Sequence, residues 1–146
     1  MCKYLIINGP NLNMLGKREP GIYGVETLKD IENKLELLAQ ELGVTLDFFQ
    51  SNHEGEIIDR IHEAHENYLG IIINPGAFTH YSYAIRDAFG SVKIPFVEIH
   101  ISNIHTRETF RHSSVLAPLA IGQIAGFGSF GYEMALHAIV RHTTKK

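Results

Sequence analysis

The segment Lys3-Tyr-Leu-Ile-Ile-Asn8 runs directly into the loop Asn8-Gly-Pro-Asn-Leu-Asn-Met-Leu-Gly-Lys-Arg-Glu-Pro-Gly-Ile-Tyr-Gly24. The continuous apolar run from Leu5 to Ile7 is typical of a strand that is covered on both faces, as in a parallel sheet. The loop is rich in Gly, Pro and Asn, and loops of this length in compact domains are usually lids or binding loops. The opening therefore predicts a buried strand that ends at a functional loop.

The rest of the chain alternates between helices and strands. Leu28, Ile31, Leu35, Leu38 and Leu42 recur at three- and four-residue spacing, which predicts a helix with one apolar stripe. Further helices are predicted around residues 57–64, over 81–89 and over 132–141. Further strands are predicted over residues 44–49, 70–73, 94–99 and 121–125.

Five strands separated by helices predict an α/β fold in one domain of residues 1–146. We expect a flavodoxin-like three-layer sandwich with a five-stranded parallel sheet in the order 2-1-3-4-5. Ligands bind such sheets beyond the carboxyl ends of the strands, where the strand order reverses. Polar clusters rich in Gly and Pro follow strands one, three and four, which places the expected site there.

Composition excludes several classes of protein. The net charge of −3, with no stripe of Lys or Arg, gives no basis for nucleic-acid binding. No apolar run approaches 18 residues and no signal-peptide pattern is present, so neither a membrane span nor export is expected. Cys2 is the only cysteine, which excludes an internal disulfide and a Cys-rich metal site. We expect a cytoplasmic protein.

The first loop carries Asn11, Arg18 and Tyr23, and a guanidinium near a phenol suggests a general base. An unperturbed phenol has a pKa of about 10, so ionising it at neutral pH costs roughly 4 kcal/mol. One nearby guanidinium lowers a pKa by about 1–3 units. Arg18 would therefore supply much of the shift, and other donors the remainder.

Two further segments carry ionisable groups. Asn74-Pro-Gly-Ala-Phe-Thr-His80 offers an amide, an imidazole and backbone N–H groups at a predicted helix start, which favour an anion. Glu98 and His100 lie two residues apart on a strand and so share a face. A carboxylate beside an imidazole orients it and stabilises its charged form, as a general acid requires. The alternative is the solvated face of an edge strand.

Three other patterns carry less weight. Gly126-Phe-Gly-Ser-Phe-Gly131 matches G-x-G-x-x-G, but it comes in the last βα unit and lacks the later acidic residue, so we interpret it as a tight turn. His62 and His65 are spaced i, i+3 rather than the i, i+4 of a zinc helix, and the histidines form no ligand set. Arg107 and Arg111 alone are typical of a solvated surface.

Taken together, these segments resemble the type II 3-dehydroquinate dehydratases along essentially the whole chain. The matching segments are residues 8–24, 50–55, 74–80, 98–103 with Arg107 and Arg111, and 126–132. Met14, Phe78 and Tyr81 depart mildly from the family pattern and touch no expected catalytic side chain.

The resemblance implies trans-elimination of water from 3-dehydroquinate to give 3-dehydroshikimate through an enolate, in the shikimate or quinate pathway. It implies no metal, cofactor or Schiff base. Tyr23 would be the base, Arg18 would favour its tyrosinate, and Asn11 would help to hold a water on the enolate oxygen. His100, oriented by Glu98, would protonate the departing hydroxyl.

The resemblance also implies a binding set and an assembly. Residues expected to hold the substrate are Asn74, His80, Arg111 and the backbone of Ile101 and Ser102, with Asp87 reaching the site of a neighbouring subunit. Trimers of the family assemble into dodecamers. The implied partners are thus the substrate and copies of the chain, with no nucleic acid or membrane.

Two kinds of rival remain open. A flavodoxin-like module would be an FMN carrier or a phospho-acceptor receiver, but Pro10-Asn-Leu-Asn is not a Ser/Thr-rich phosphate loop, and Asn8 and Asn74 stand where a receiver needs acids. A dehydratase that uses a lysine Schiff base would be inactivated by borohydride together with substrate.

Overall fold

The computed structural model describes residues 2–17 and 25–144, which form one parallel sheet flanked by helices. In chain order the elements are β1 (Lys3–Asn8), α1 (Leu28–Leu42), β2 (Thr45–Gln50), α2 (Glu54–Asn67), β3 (Gly70–Asn74), α3 (Tyr83–Ser91), β4 (Phe96–His100), β5 (Gly122–Ala125) and α4 (Phe130–Thr144). Short 3-10 helices cover Leu12–Met14, Gly76–His80, Ile104–Thr106, Thr109–Arg111 and Ala117–Leu119. No helix in these two stretches has the length and hydrophobicity needed to cross a membrane.

The strand order is β2-β1-β3-β4-β5 and every pairing is parallel, which confirms the predicted topology. In this register Asn8 lies opposite Asn74, and Glu98 lies opposite Gln123. The carboxyl ends of β1, β3 and β4, the three strands followed by polar clusters, therefore meet along one edge of the sheet.

Alternate residues of each strand pack on opposite faces of the sheet. Tyr4 and Ile6 lie in a core with α1 and α4, whereas Leu5 and Ile7 lie in a core with α2 and α3. All four side chains are fully buried. The continuous apolar run of β1 thus belongs to the middle layer of a three-layer sandwich, as the sequence predicts.

The ends of α1 follow from local chemistry. The Thr27 hydroxyl accepts the Asp30 backbone N–H at 3.1 Å, and the Asp30 carboxylate accepts the Thr27 N–H at 3.0 Å, forming a capping box. Gly43 ends the helix in the left-handed region at φ 72°. Helix α3 starts later than predicted, because Gly76–His80 forms a 3-10 helix and the Ser82 hydroxyl then caps α3 by accepting Ile85 N–H.

The loops that follow β1 and β3 are held together by their backbones. Gly9 N–H donates to Asn74 O at 2.8 Å. A Cβ atom on Gly9 would lie only 2.7 Å from the Pro75 carbonyl oxygen, so a side chain at this position requires the backbone to shift. This contact fixes the separation of the two loops at the point where the strand order reverses.

Candidate active site

Glu98 and His100 form a buried pair at the carboxyl end of β4. His100 Nε2 lies 2.5 Å from Glu98 Oε2. Glu98 is 0 % and His100 5 % exposed, and β4 lies between β3 and β5. The alternative interpretation, a solvated edge-strand face, is therefore wrong, and the predicted contact between the two side chains is confirmed.

Three other donors surround the Glu98 carboxylate. The Thr79 hydroxyl donates to Oε2 at 2.5 Å, Gln123 Nε2 donates to Oε2 at 3.1 Å, and the Ser114 hydroxyl donates to Oε1 at 2.7 Å. Burial raises the pKa of Glu98, but the hydrogen bonds from His100 and Thr79 together with the other attractive contacts lower it by more, so the pKa lies below its usual value. Glu98 is therefore a buried carboxylate at neutral pH.

The contact with Glu98 determines which nitrogen of His100 carries a proton. A carboxylate only accepts hydrogen bonds, so Nε2 must carry a hydrogen. In the neutral ring Nδ1 is then an acceptor, and in the charged ring Nδ1–H is an acid. Any proton that His100 delivers to a ligand while it keeps Glu98 must leave from Nδ1.

His80 lies beside His100. Their rings stack at a centroid separation of 6.3 Å with 18° between the planes. His80 Nδ1 lies 2.8 Å from the Ser113 carbonyl oxygen, so Nδ1 donates there and Nε2 is the free nitrogen of a neutral ring. The structure thus brings together the two histidines that the sequence placed at the site.

The connection after β4 holds the other predicted polar groups through local contacts. Arg111 Nε donates to Glu108 Oε1 at 2.9 Å, and Arg107 Nη1 lies 3.5 Å from the Ser102 hydroxyl. The Ile101 carbonyl accepts the Gly128 N–H at 3.0 Å. Within residues 2–17 and 25–144, Arg111 pairs only with Glu108, so part of its guanidinium has donors for an anionic or hydroxylated ligand.

Asn74 is tied into a second buried cluster with Tyr132 and Asn8. The Tyr132 hydroxyl donates to Asn8 Oδ1 at 2.5 Å and accepts from Asn74 Nδ2 at 2.9 Å, while Asn74 Oδ1 accepts the Gly76 N–H at 3.2 Å. Burial raises the pKa of Tyr132 far above its ordinary value. The cluster joins β1, β3 and α4 and leaves one N–H of the Asn74 amide available to a ligand.

Tyr132→Phe should lower the free energy of unfolding by about 1–3 kcal/mol, because it leaves Asn8 Oδ1 without a donor and Asn74 Nδ2 without an acceptor. Urea denaturation at one fixed protein concentration measures this loss. Tyr81→Phe is the matched control, since Tyr81 is 57 % exposed. A loss no larger for Tyr132→Phe than for Tyr81→Phe would contradict the bridging role.

The remaining predicted residues are not drawn into these clusters. Asn11 is exposed at φ 71°, and its backbone N–H donates to Asn52 Oδ1 at 3.0 Å. Asp87 is exposed on α3, and its side chain makes no hydrogen bond or ion pair with any described residue. Arg18 and Tyr23 lie outside the described residues. The roles expected of these four residues remain predictions.

The structure explains the glycine motif of residues 126–131 and the histidine pair of α2. Gly126 and Gly128 adopt positive φ values of 95° and 63°, and a Cβ on Gly126 would lie 3.1 Å from Asn103 Cβ. The glycines thus form a tight turn, as predicted. His62 and His65 are exposed on α2, and no three His, Cys, Asp or Glu side chains in the described part of the chain are placed to hold a metal ion.

A pocket of about 500 Å³ lies next to these clusters, between the loop after β1 and the turn after β5. It is lined by Leu15, Val25, Glu26, Ile31, Ile101, Phe127, Gly128, Ser129 and Phe130. Glu26 is the only charged residue among these nine, and its carboxylate contacts Lys34 at 2.6 Å. An apolar wall with a carboxylate does not favour an anionic ligand, so we place the polar site at His80 and His100 instead.

The sequence interpretation missed five polar residues of these clusters. They are Asn8, Thr79, Ser114, Gln123 and Tyr132. Thr79 and Tyr132 lie inside segments already singled out, but nothing in the local pattern indicates their partners. Gln123 becomes recognisable only from the strand register, which sets it opposite Glu98.

Comparison with known proteins identifies the family. The family described as Dehydroquinase class II matches residues 2–140. The chain is 60% identical over 140 residues to a 3-dehydroquinate dehydratase of Bacillus mycoides (strain KBAB4), and the match covers 96% of each chain. The chain belongs to the class II dehydroquinase family. A relative of the same description from Bacillus cereus (strain AH187) is 61% identical over 140 residues, again with 96% of each chain covered.

Solved class II dehydroquinases share the fold. The type II dehydroquinase from Butyrivibrio crossotus DSM 2876 superposes with a TM-score of 0.91 at 52% identity, covering 95% of this chain and 97% of that one. The type II dehydroquinase from Propionibacterium acnes gives a TM-score of 0.89 at 41% identity, with 99% and 98% covered. The resemblance inferred from the sequence is therefore confirmed, as is the flavodoxin-like architecture.

Proposed function

We propose that this class II dehydroquinase converts 3-dehydroquinate to 3-dehydroshikimate by trans-elimination of water through an enolate. The observation that carries the proposal is the buried Glu98–His100 pair, with contacts at 2.5 Å, in a chain of this family. An acid of this kind at the carboxyl edge of the sheet suits loss of a hydroxyl from a small molecule.

The first step breaks the C–H bond next to the ketone. The tyrosinate of Tyr23 takes the proton, and the bonding electrons form the carbon–carbon double bond of an enolate. Arg18 stabilises the tyrosinate by its charge. A water held with the help of Asn11 donates to the enolate oxygen. Residue types and family membership support this half of the reaction.

The second step expels the hydroxyl. The enolate electrons re-form the carbonyl and a conjugated carbon–carbon double bond, while the C–OH bond breaks. The departing oxygen takes the proton from His100 Nδ1 and leaves as water. Glu98 contacts the other ring nitrogen, Nε2, and supports the transfer from there: its charge stabilises the imidazolium and its position fixes the orientation of the ring. No metal, cofactor or Schiff base is required.

The substrate is a carboxylate with several hydroxyl groups, so it needs donors for the carboxylate oxygens and both donors and acceptors for the hydroxyls. We propose that Arg111, His80 Nε2, the free N–H of Asn74 and the backbone of Ile101 and Ser102 bind it. Asn74 ends β3 and His80 follows it, whereas Ile101, Ser102 and Arg111 come after β4, so the proposed binding groups come from the carboxyl ends of two neighbouring strands. Backbone N–H groups and a guanidinium are common partners of carboxylates and hydroxyls.

We also propose that the chain assembles as a dodecamer, a tetramer of trimers, in which Asp87 contributes to the site of a neighbouring copy. Asp87 is exposed on α3, near Tyr83, which is 67 % exposed. Aromatic side chains on a surface are typical of interfaces. Sedimentation velocity should give a species of about twelve chains, and a monomer would refute the assembly.

Adding 3-dehydroquinate and recording ultraviolet absorbance tests the activity, because the product is conjugated and the substrate is not. We expect absorbance to rise with time in proportion to protein concentration. Treatment with borohydride and substrate should leave the activity intact, since no lysine adduct forms. Absence of product would refute the function, and borohydride inactivation would refute the mechanism.

A further inference from the structure

The hydrogens around Glu98 can be assigned one by one. Ser114 Oγ accepts backbone N–H groups from Leu116 at 3.1 Å and Ala117 at 2.9 Å. A hydroxyl has two acceptor lone pairs and one hydrogen. Both Ser114 lone pairs are thus used, and its one hydrogen goes to Glu98 Oε1.

This assignment determines the hydrogen of Thr79. Thr79 Oγ1 lies 2.9 Å from Ser114 Oγ, but Ser114 has no lone pair left to accept from it. The Thr79 hydrogen therefore goes to Glu98 Oε2 at 2.5 Å. Gln123 must also present its amide nitrogen to Glu98, because the opposite orientation would bring an amide oxygen against a carboxylate.

Thr79, Ser114 and Gln123 are thus all donors to Glu98, so among its described contacts only His100 Nε2 could accept a hydrogen from a protonated Glu98. We propose that Thr79, Ser114 and Gln123 are positioning residues that hold Glu98 as a carboxylate, which fixes a proton on His100 Nε2 and reserves Nδ1 for proton transfer. The expected effect on proton transfer rests on the proposed function, whereas the tautomer assigned to His100 does not.

Loss of one donor should favour the neutral form of Glu98. His100 is the only titratable group among the described residues that contacts Glu98, and His80 stacks behind it. Thr79, Ser114 and Gln123 do not titrate. Since burial raises the pKa of Glu98 and donors lower it, removal of a neutral donor raises it. As the pH is lowered, Glu98 in such a variant is then protonated at a higher pH than in the wild type, and its support of His100 is lost there.

Thr79→Val tests this directly, because valine keeps the shape and removes the hydroxyl. A hydrogen bond to a charged group is worth about 1.5–3 kcal/mol, which converts to an upward shift of about 1–2 pH units in the titration of the Glu98 carboxyl, followed by carbon-13 NMR of labelled glutamate side chains. Thr79→Ser restores the donor and should restore the wild-type titration. Gln123→Leu should shift it less, since Gln123 is exposed. Thr45→Val, exposed on β2, is the matched control.

A second readout is the tautomer of His100. Nitrogen-15 NMR of the histidine rings should show His100 protonated at Nε2 in the wild type and a mixture of tautomers in Thr79→Val. A lower kcat in Thr79→Val with an unmoved Glu98 titration and an unchanged tautomer would reduce Thr79 to a packing role and overturn the inference. If the wild type forms no product, the proposed function fails, while the tautomer still decides the inference.

Discussion

His100→Ala should lower kcat by about 10²–10⁴-fold, the range that a positioned general acid contributes. The variant removes Nδ1, the proposed proton donor, while Arg111 and His80, which we propose to bind the substrate, are unchanged. His100→Gln should lose activity to a similar extent, although its amide can still donate to Glu98 and so keep the buried carboxylate partnered. Initial rates of product formation measure both variants.

The control for this pair is His62→Ala, which removes a histidine exposed on α2 and should leave kcat unchanged. Circular dichroism and urea denaturation check that the variants are folded. If His100→Gln retained activity within tenfold of the wild type, another group would have to protonate the leaving hydroxyl, and the proposed role of the Glu98–His100 pair would be wrong.

Tyr23→Phe should lose nearly all turnover and fold normally, because phenylalanine lacks only the hydroxyl that ionises. General bases contribute about 10²–10⁴-fold, and we expect a loss at the upper end of that range because no neighbour is proposed to replace the phenolate. Progress curves at high enzyme concentration measure the residual rate. The control Tyr81→Phe makes the same chemical change at an exposed position before α3.

Arg18 provides an internal check on Tyr23. If Arg18 lowers the pKa of the Tyr23 phenol, its removal raises that pKa, and the pH at which turnover begins should rise with it by about 1–3 units. Substantial activity in Tyr23→Phe would remove Tyr23 from its role as base, whatever the behaviour of the Arg18 variant.

Much of the fold could be predicted because its signals are local. The apolar run of β1 gave the same bounds, Lys3–Asn8, in sequence and structure. Helix α4 was predicted too short, because the glycines before it are typical of a turn. Gly131 in fact lies inside the helix, where a Cβ would meet Ile99 Cδ1 at 3.2 Å. Close packing of a helix on a strand is a tertiary property that local sequence does not encode.

At the site, too, contacts within one element could be predicted from the sequence and contacts between distant segments could not. Strand alternation alone places Glu98 beside His100, since both are on β4. The other donors to Glu98 come from 19, 16 and 25 residues away in the sequence, for Thr79, Ser114 and Gln123 respectively. Their convergence depends on the register of β4 with β5 and on the path of the connection between them, which the sequence pattern does not specify.

The close approach of the Gly9 and Pro75 backbones limits how this enzyme could be re-engineered. Because even a methyl group at position 9 would lie 2.7 Å from a carbonyl oxygen, substitution of Gly9 cannot be used to adjust the distance between the loops that follow β1 and β3. Variants that accept bulkier carboxylate substrates would have to be sought among substitutions in the longer connection after β4, where Arg107 and Ser102 are exposed to solvent. Mutant libraries for altered substrate scope are best directed to that connection.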